Sequence, residues 1–515
     1  MKAQDYKISG EKFVFHKTDG DLHDKKLETK PVSYLQDALH RFSRNKASIV
    51  ASVIIAILVL FAIFGPMLTP YTVEYEDDNY AYALPKIQYF YDNGIHFWDG
   101  GKDMSQSKQF YDAYRAIEIE TGLPVFIGDV EIEESEYMGK TTKKYNFRLD
   151  TYNAAGVAYE YLTTEKYMAL QAYQDATGIQ VLMPITDPKL RPEAVQDKNN
   201  ANIWYATRIG AGQKTEIAFD AAGNFVNIYK ADDGSDQYTS KMYWEGDTKQ
   251  YSYGIYKEGL WEVRVECSSY YTYYHTQVLK DGITTPVHIM GADTAGRDIY
   301  VRLASGARFS FILAIIVASV NLFVGAIYGA IEGYYGGRTD IVMERIVELL
   351  ASIPFMIVIT LLKYHLNVSH MVVLFISFFL TGWTGMAART RMQFYRFKNQ
   401  EYVLVARTLG ARDRRIMFKH IFPNAIGTLI TGSVLVIPGV IFSETSLSYL
   451  GIIDLNTSGV TSVGTLLANG QLTLFTFPHM ILFPAIFISL LMLCFNLFGN
   501  GLRDAFNPSL RGTED

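Results

Sequence analysis

The chain has 515 residues, 49% of them hydrophobic, and a mean hydropathy near zero. These values fit a soluble protein or a membrane protein with a large polar part, and they exclude a fully membrane-embedded chain. The formal net charge is −6, and no nucleic-acid partner is expected. Apolar runs stand at 47–68 and from 309 onward, whereas the stretch between them is polar and rich in Tyr.

Six apolar runs are long enough to cross a membrane. A helix needs about 20 mostly apolar residues to span the roughly 30 Å hydrocarbon core. The candidate spans are 47–68, 309–331, 341–362, 371–388, 425–443 and 480–499. We interpret the first run as a true span, because it exceeds the roughly 7 to 15 apolar residues of a signal peptide and lies far from the N-terminus.

These runs set the predicted domain boundaries. We expect a cytoplasmic segment at 1–46, span one at 47–69, an extracellular domain at 70–286, an outer juxtamembrane segment at 287–308, spans two to six at 309–502 and a cytoplasmic tail at 503–515. The predicted fold class is an all-α polytopic membrane protein of six transmembrane helices with an inserted extracellular α+β domain.

The distribution of Lys and Arg predicts the orientation, since short loops rich in these residues stay in the cytoplasm. Nine Lys or Arg residues fall between 389 and 419, whereas 363–370 and 450–479 together hold one Lys and no Arg. Both termini are therefore expected in the cytoplasm and residues 70–308 outside a plasma membrane. Arg residues just before span two then lie outside, where a long translocated domain escapes the charge rule.

The polar insert shows helical and strand-like periodicity in turn. The patterns are helical at 110–119 and 165–175, and strand-like at 214–229 and 251–265. Each helical pattern ends in Thr-Gly and leads into an apolar run, which suggests a duplicated unit. A cluster of tyrosines is expected to pack a β-sheet, with stacking on peptide side chains or docking of a binding protein as the alternative: Tyr270, Tyr271, Tyr273 and Tyr274.

Motifs for metal or nucleotide binding are absent from the sequence. The ten His residues show no HxxxH spacing, no CxxC pair occurs, and no Gly-rich loop of the Walker type is present. Cys267 is expected outside and Cys494 in span six, so the two cannot pair. We expect no cofactor bound by this chain.

The loop between spans four and five, at 400–424, restricts function most. It begins with a helix-compatible run, turns at Gly410, continues as a basic helix and ends at Pro423. Such a helix-turn-helix can present a rigid knob to a cytoplasmic partner, with Ala406 and Gly410 allowing close approach. The alternative is a basic interfacial helix whose Arg side chains meet only anionic lipid headgroups.

The spacing of Ala406, Gly410, Ile421 and Pro423 resembles the signature loop of permease subunits in binding-protein-dependent ABC importers, which reads Glu-Ala-Ala, then Gly, then Ile-x-Pro. In that family the loop is the coupling helix that docks on the ATPase subunit. The usual Glu falls on Leu404 here, and the following Ala on Val405. The resemblance implies these ATPase-coupling residues: Val405, Ala406, Gly410, Ala411, Arg412, Arg414, Arg415, Ile421 and Pro423.

Further segments are similar to the C-type permease of oligopeptide, dipeptide and nickel importers. Residues 288–298 resemble the segment before its second span, 444–451 its fifth-span exit and 495–508 its C-terminus. The motif positions before span two are Gly291, Asp293, Gly296, Arg297 and Asp298. The residues themselves predict a charge-paired turn that fixes the start of span two.

The resemblance implies a type I ABC importer permease fold and one permease subunit of an ATP-driven peptide importer. The implied partners are a second homologous permease, two ATPase subunits that use ATP and Mg, an extracellular substrate-binding lipoprotein, a peptide substrate and membrane lipid. The chain itself is expected to be no enzyme. Nickel or another small solute in place of peptide stays open.

Ionisable residues inside spans are costly and therefore candidates for function. Glu344 and Glu348 in span three, and Glu444 in span five, are interpreted as interfacial charge, with an ion relay as the alternative. A secondary transporter would carry paired carboxylates near mid-membrane, and a ligand-sensing receptor would carry a cytoplasmic output domain. The glycines at 325, 329 and 333 predict close approach to another span or to a partner permease.

Overall fold

The computed structural model describes residues 34–137, 140–185, 219, 222–224, 229–231 and 251–506. Two helices lead into the first span: α1 (Tyr34–Arg44) and α2 (Lys46–Phe64). Asn45 caps α2, because its side-chain oxygen accepts a hydrogen bond from the Ser48 N–H at 3.2 Å. The Ser48 hydroxyl in turn donates to the Leu497 carbonyl at 3.2 Å, which ties span one to the last helix.

The inserted domain is α+β, as predicted. Its first half contains α3 (Gln88–Asp92), β1 (Gly101–Ser107), α4 (Lys108–Thr121), β2 (Phe126–Tyr137) and β3 (Lys140–Asp150). Its second half contains β4 (Val157–Leu162), α5 (Thr164–Thr177), β5 (Leu182–Met183), β6 (Ile255–Lys257), β7 (Leu260–Glu266) and α6 (Cys267–Tyr273). Most of the strand predicted at 214–229 lies outside the described residues.

The two halves follow the same plan. Each places a strand, a helix and a second strand before a last strand that lies between the other two, in the orders β1-β3-β2 and β4-β7-β5. All these pairings are antiparallel, and β6 adds to β7. Both helices end at a left-handed glycine, Gly122 or Gly178. This shared plan supports the duplicated unit that the two Thr-Gly patterns predict.

Equivalent hydrogen bonds reinforce the match between the halves. The Glu118 carboxylate accepts from the Val125 N–H at 3.0 Å, and the Gln174 side-chain oxygen accepts from the Val181 N–H at 2.6 Å. Both bonds join a residue near the end of a helix to the backbone seven residues later. Each therefore fixes the turn from helix to strand in the same way.

The remaining helices form the membrane part. They are α7 (Ile299–Tyr335), α8 (Gly337–Ser352), α9 (Phe355–His365), α10 (His370–Thr381), α11 (Thr384–Phe397), α12 (Glu401–Thr408), α13 (Asp413–Arg415), α14 (Phe422–Val434), α15 (Val436–Tyr449), α16 (Val463–Gly470) and α17 (His479–Ala505). Within the described residues, five helical stretches are long and apolar enough to cross a membrane: Lys46–Met67, Ile299–Tyr335, His370–Phe397, Asp413–Tyr449 and His479–Ala505.

The third predicted span, at 341–362, is not one straight helix. Helices α8 and α9 are bent by 77° at the short break between them. The break contains Pro354, and Ile353 before it has an extended backbone with ψ 120°. The membrane part is thus mostly helical with five continuous candidate spans and one bent pair.

Helix α7 is the centre of the membrane part. Its buried apolar residues share one core with α2, α10, α15 and α17. A Cβ on Gly325 would meet Met386 and Trp383 at 2.7 and 2.8 Å, and one on Gly329 would collide with the Ala387 carbonyl. The glycine stripe therefore packs against α11 of the same chain.

The structure refines the sequence interpretations of the tyrosine cluster and of Glu444. The tyrosine cluster lies on α6 and on the short π-helix Tyr274–Leu279 rather than in a strand, although Tyr270 and Tyr273 pack against the core of the second sheet as expected. Glu444 is fully buried within the protein, where its carboxylate accepts hydrogen bonds from Ser310 at 3.0 Å and Ser448 at 3.1 Å. It therefore contacts no solvent directly, and its position near the membrane interface stays a prediction.

Candidate coupling site

Helices α12 and α13, joined by a tight turn, form a compact knob together with the short π-helix Ile416–Ile421 that follows them. Gly410 has φ +81°, in the left-handed region that favours glycine. The Gly410 N–H donates to the Arg407 carbonyl and the Ala411 N–H to the Ala406 carbonyl, both at 3.0 Å. This pair of bonds is a Schellman motif, which ends α12 and turns the chain sharply into α13.

One face of the knob is packed into the membrane part. Val403, Ile416 and Ile421 are fully buried, and they pack with Phe394 of α11 and Ala330 of α7. The knob therefore rests on two spans at once. Because protein interiors are closely packed, a displacement of the knob must be accommodated by these spans.

Polar contacts hold the knob in the same place. The Tyr334 hydroxyl, at the end of α7, donates to the Asp413 carboxylate at 2.6 Å, and Arg407 donates to that hydroxyl at 3.4 Å. The Arg407 guanidinium also lies 5.7 Å from the Tyr334 ring centroid. Tyr334 thus joins α12 and α13 to the long central helix.

The opposite face is open and combines apolar and basic side chains. Leu404 is 46% exposed, Val405 56% and Leu409 82%. Arg412, Arg414 and Arg415 are also exposed, and within the described part of the chain none of the three has an ion-pair partner. Exposed leucine beside unpaired arginine is the composition of a protein interface rather than of a polar loop.

The structure divides the sequence-predicted coupling residues between the two faces. Val405, Gly410, Arg412, Arg414, Arg415 and Pro423 are exposed, Ala411 is half-buried, and Ala406 and Ile421 are buried. The small side chain of Ala406 therefore allows close packing within the chain. Of the two small residues Ala406 and Gly410, only Gly410 is open to an approaching partner. A Cβ at Gly410 would meet no atom within 4 Å.

A charged network braces the spans behind the knob. Arg391 of α11 lies 2.6 Å from Asp340, 3.3 Å from Glu344 and 3.3 Å from Glu332. The Tyr395 hydroxyl donates to Asp340 at 2.7 Å, and Lys398 donates to the Gly333 carbonyl at 2.9 Å. These contacts fasten α7 and α8 to the helix that leads into the knob. Glu348 instead pairs with Arg345 on an exposed surface.

The predicted charge-paired turn before α7 is confirmed. The Asp293 carboxylate accepts the backbone N–H of Arg297 at 3.0 Å and its Nε at 3.0 Å, and it pairs with buried Arg302. Asp298 caps α7 by accepting the Val301 N–H at 2.9 Å, and it also contacts His288 Nδ1 at 2.8 Å.

The glycines of this turn make room for the inserted domain. A Cβ on Gly296 would collide with the Asp77 carbonyl, and one on Gly291 would meet His479 at 2.6 Å. Both glycines have positive φ: +79° at Gly291 and +70° at Gly296. The motif is therefore structural: it joins the inserted domain, α7 and α17.

Comparison of the sequence with known proteins identifies the family of this chain. A family model for binding-protein-dependent transport system inner membrane components matches residues 322–512, and one for the N-terminal TM domain of oligopeptide transport permease C matches 33–85. The oligopeptide transport system permease protein OppC of Bacillus subtilis (strain 168) is 41% identical over 248 residues, 47% of this chain and 79% of that protein. The chain belongs to this family of transport permeases.

Other relatives of the permease support the same assignment. The oligopeptide transport system permease protein OppC of Haemophilus influenzae is 40% identical over 44% of this chain and 71% of its own length. The dipeptide transport system permease protein DppC of Bacillus subtilis is 38% identical over 44% of this chain and 69% of its own length. The two family models leave residues 86–321 uncovered, and this interval contains most of the inserted domain.

Sequence reasoning missed the buried half of this permease site. Tyr334 and Asp413 are 79 residues apart, so nothing in the loop sequence signals their hydrogen bond. The exposed leucines were missed as well: Leu404 stands out in the sequence only as the position of the family's usual Glu, and Leu409 does not stand out at all. The signal available for Leu404 was the period of 3.6 residues, which places it on the side of α12 away from buried Val403 and Ala406.

Proposed function

We propose that this permease forms half of the translocation pathway of an ATP-driven peptide importer and receives force from a cytoplasmic ATPase through the α12–α13 knob. The exposed face of that knob carries the proposal. It offers three apolar side chains beside three arginines on a turn that is rigidly capped. Such a face fits a groove with an apolar floor and acidic edges.

The buried face of the knob supplies the mechanism. Rotation of an ATPase subunit would displace α12 and α13, and the packing of Val403, Ile416 and Ile421 would pass this displacement to α7 and α11. The Arg391 network and the glycine stripe keep those two spans together. The spans therefore move as a unit and can open the pathway to alternate sides of the membrane.

The proposed topology follows from the distribution of Lys and Arg, and the proposed partners follow from the family resemblance. The basic loop at 400–424 and both termini lie in the cytoplasm, and residues 70–308 lie outside. A second homologous permease completes the pathway, two ATPase subunits use ATP and Mg, and an extracellular binding lipoprotein delivers the peptide. The resemblance to named oligopeptide and dipeptide permeases supports a peptide as the substrate.

Replacement of Leu409 by Asp tests the knob. The substitution puts a negative charge on the exposed face of α12 without touching the buried core, so the permease should fold but lose its ATPase. Leu472→Asp is the matched control, since Leu472 is 96% exposed and lies far along the chain from the knob. The readout is co-purification of the ATPase subunits with a C-terminally tagged permease from native membranes.

We expect Leu409→Asp to lose most of the ATPase subunits and Leu472→Asp to keep them. Equal recovery with both variants would contradict the knob as the docking site. In that case the arginines serve only to meet anionic lipid headgroups.

A further inference from the structure

The duplicated halves of the inserted domain build two equivalent cavities. Gly101 pairs with Asp150 at the start of the first unit, and Val157 pairs with Glu266 at the start of the second. This register makes Lys102 equivalent to Ala158, and Met104 equivalent to Glu160. In each unit the cavity lies against these strand positions and against the residues just after the central strand.

The two cavities are neighbours. One has a volume of about 850 Å³ and the other about 380 Å³, within the usual size of small-molecule sites. Both are lined by Asn79, Ala81 and Tyr82, which belong to the segment between span one and the first sheet. That segment therefore forms a wall that the two cavities share.

The larger cavity is acidic and aromatic. Six tyrosines and four carboxylates line it, and none of its described lining residues is Lys, Arg or His. Glu76 reaches Arg297 at 3.2 Å, but Asp77 and Glu160 have no Lys or Arg within ion-pair distance in the described part of the chain. Burial raises the pKa of Asp77, and burial together with Asp77 raises the pKa of Glu160.

The smaller cavity has the opposite charge. Lys102 is its one charged residue among those described, and it contacts no carboxylate there. Its ammonium lies 4.5 Å from the Phe477 ring centroid. Burial lowers the pKa of Lys102, as expected for a cation without a counter-charge. Each cavity thus lacks the charge that the other one holds.

We propose that the two cavities together form a receptor site for a short zwitterionic peptide, with the N-terminal ammonium in the acidic cavity and the C-terminal carboxylate at Lys102. The ammonium would meet Asp77 and Glu160 among tyrosine rings that favour a cation. The carboxylate would supply the anion that Lys102 lacks. This inference rests on the proposed function, since it names where the permease holds the peptide that the binding protein delivers.

Peptides with blocked termini test each end separately. The probe is radiolabelled tetra-alanine, offered free, N-acetylated or C-amidated to the assembled importer in nanodiscs without its binding protein and without ATP. Equilibrium binding is measured for wild type, Glu160→Gln and Lys102→Gln. Glu134→Gln and Lys143→Gln are the controls, because these residues pair with each other on an exposed part of the first sheet.

We expect Glu160→Gln to weaken binding of the free peptide about tenfold and to leave binding of the N-acetylated peptide unchanged. Lys102→Gln should weaken binding of the free peptide by a similar factor and leave binding of the C-amidated peptide unchanged. The control variants should bind as wild type does. Thermal melting of each variant shows whether it is folded.

Two results would overturn the proposal. One is a loss that is equal for free and blocked peptides. The other is unchanged peptide binding with weakened capture of the binding protein, which would make the acidic cavity a protein-docking surface. Failure of the proposed function looks different, because ATP-driven uptake would then be absent while binding of the free peptide still depended on Glu160 and Lys102.

Discussion

At the scale of single residues, Arg391 is the shared ion-pair partner of several acidic side chains. Three carboxylates surround it, and one of them, Glu332, has a fully buried side chain. Removing the guanidinium would leave these three acidic side chains without their cation at the junction of three helices. A broken buried ion pair costs far more than the same pair contributes at a surface.

We predict that Arg391→Gln lowers the free energy of unfolding by about 3 kcal/mol. The readout is thermal or denaturant unfolding of the full chain in nanodiscs. Arg345→Gln is the matched control, because the Arg345 and Glu348 side chains are 72% and 50% exposed, and it should cost less than about 1 kcal/mol. Asp340→Asn should recover part of the loss in Arg391→Gln, and equal effects at both arginines would contradict the network.

The roles of individual residues were predictable where their contacts are to residues nearby in the sequence. Gly410 is required by the turn that its flanking helices imply, and Asp293, Arg297 and Asp298 are close enough in sequence to predict their charge-paired turn. Contacts between residues that are distant in the sequence could not be predicted. The partners of Arg391 come from α7 and α8, and the hydroxyls around Glu444 come in part from α7, so packing alone determines them.

At the scale of elements, hydropathy found the membrane helices but not their shape. It registers how many apolar residues follow one another, so it placed a single span at 341–362. The direction change at Pro354 does not alter that sum. The local signal was Ile353-Pro354, since the residue before proline avoids helical backbone. The glycines of α7 predicted close approach to another helix, but they could not identify α11 as that helix, because small residues allow close packing against any helix.

A pair of glycines tests the α7–α11 contact. Gly329→Ala should push the two helices apart, because the new Cβ would collide with the Ala387 carbonyl. Gly385→Ala, on α11, is the control: a Cβ there meets no atom within 4 Å, and alanine favours the helix by about 1 kcal/mol. We expect Gly329→Ala to melt several degrees lower and Gly385→Ala to melt at or above the wild-type temperature; the reverse order would contradict the packing.

At the scale of the whole molecule, two Thr-Gly patterns were enough to suggest a duplicated unit. The sequence did not show which strands pair, because β7 joins β4 and β5 across a long separation in the chain. Nor did it show that Tyr270, Tyr271 and Tyr274 follow β7 as a helix and line a cavity. The family models cover most of the membrane part but little of the inserted domain.

We propose that ATP hydrolysis drives a peptide across this permease through displacement of the α12–α13 knob. The most direct test of this proposal is uptake of labelled peptide by proteoliposomes that contain the assembled importer, its binding protein outside and ATP inside. We predict uptake that requires internal ATP, persists without a proton or sodium gradient and is lost with Leu409→Asp but not with Leu472→Asp. Uptake that follows an ion gradient in the absence of ATP would contradict the account and identify an ion-coupled transporter.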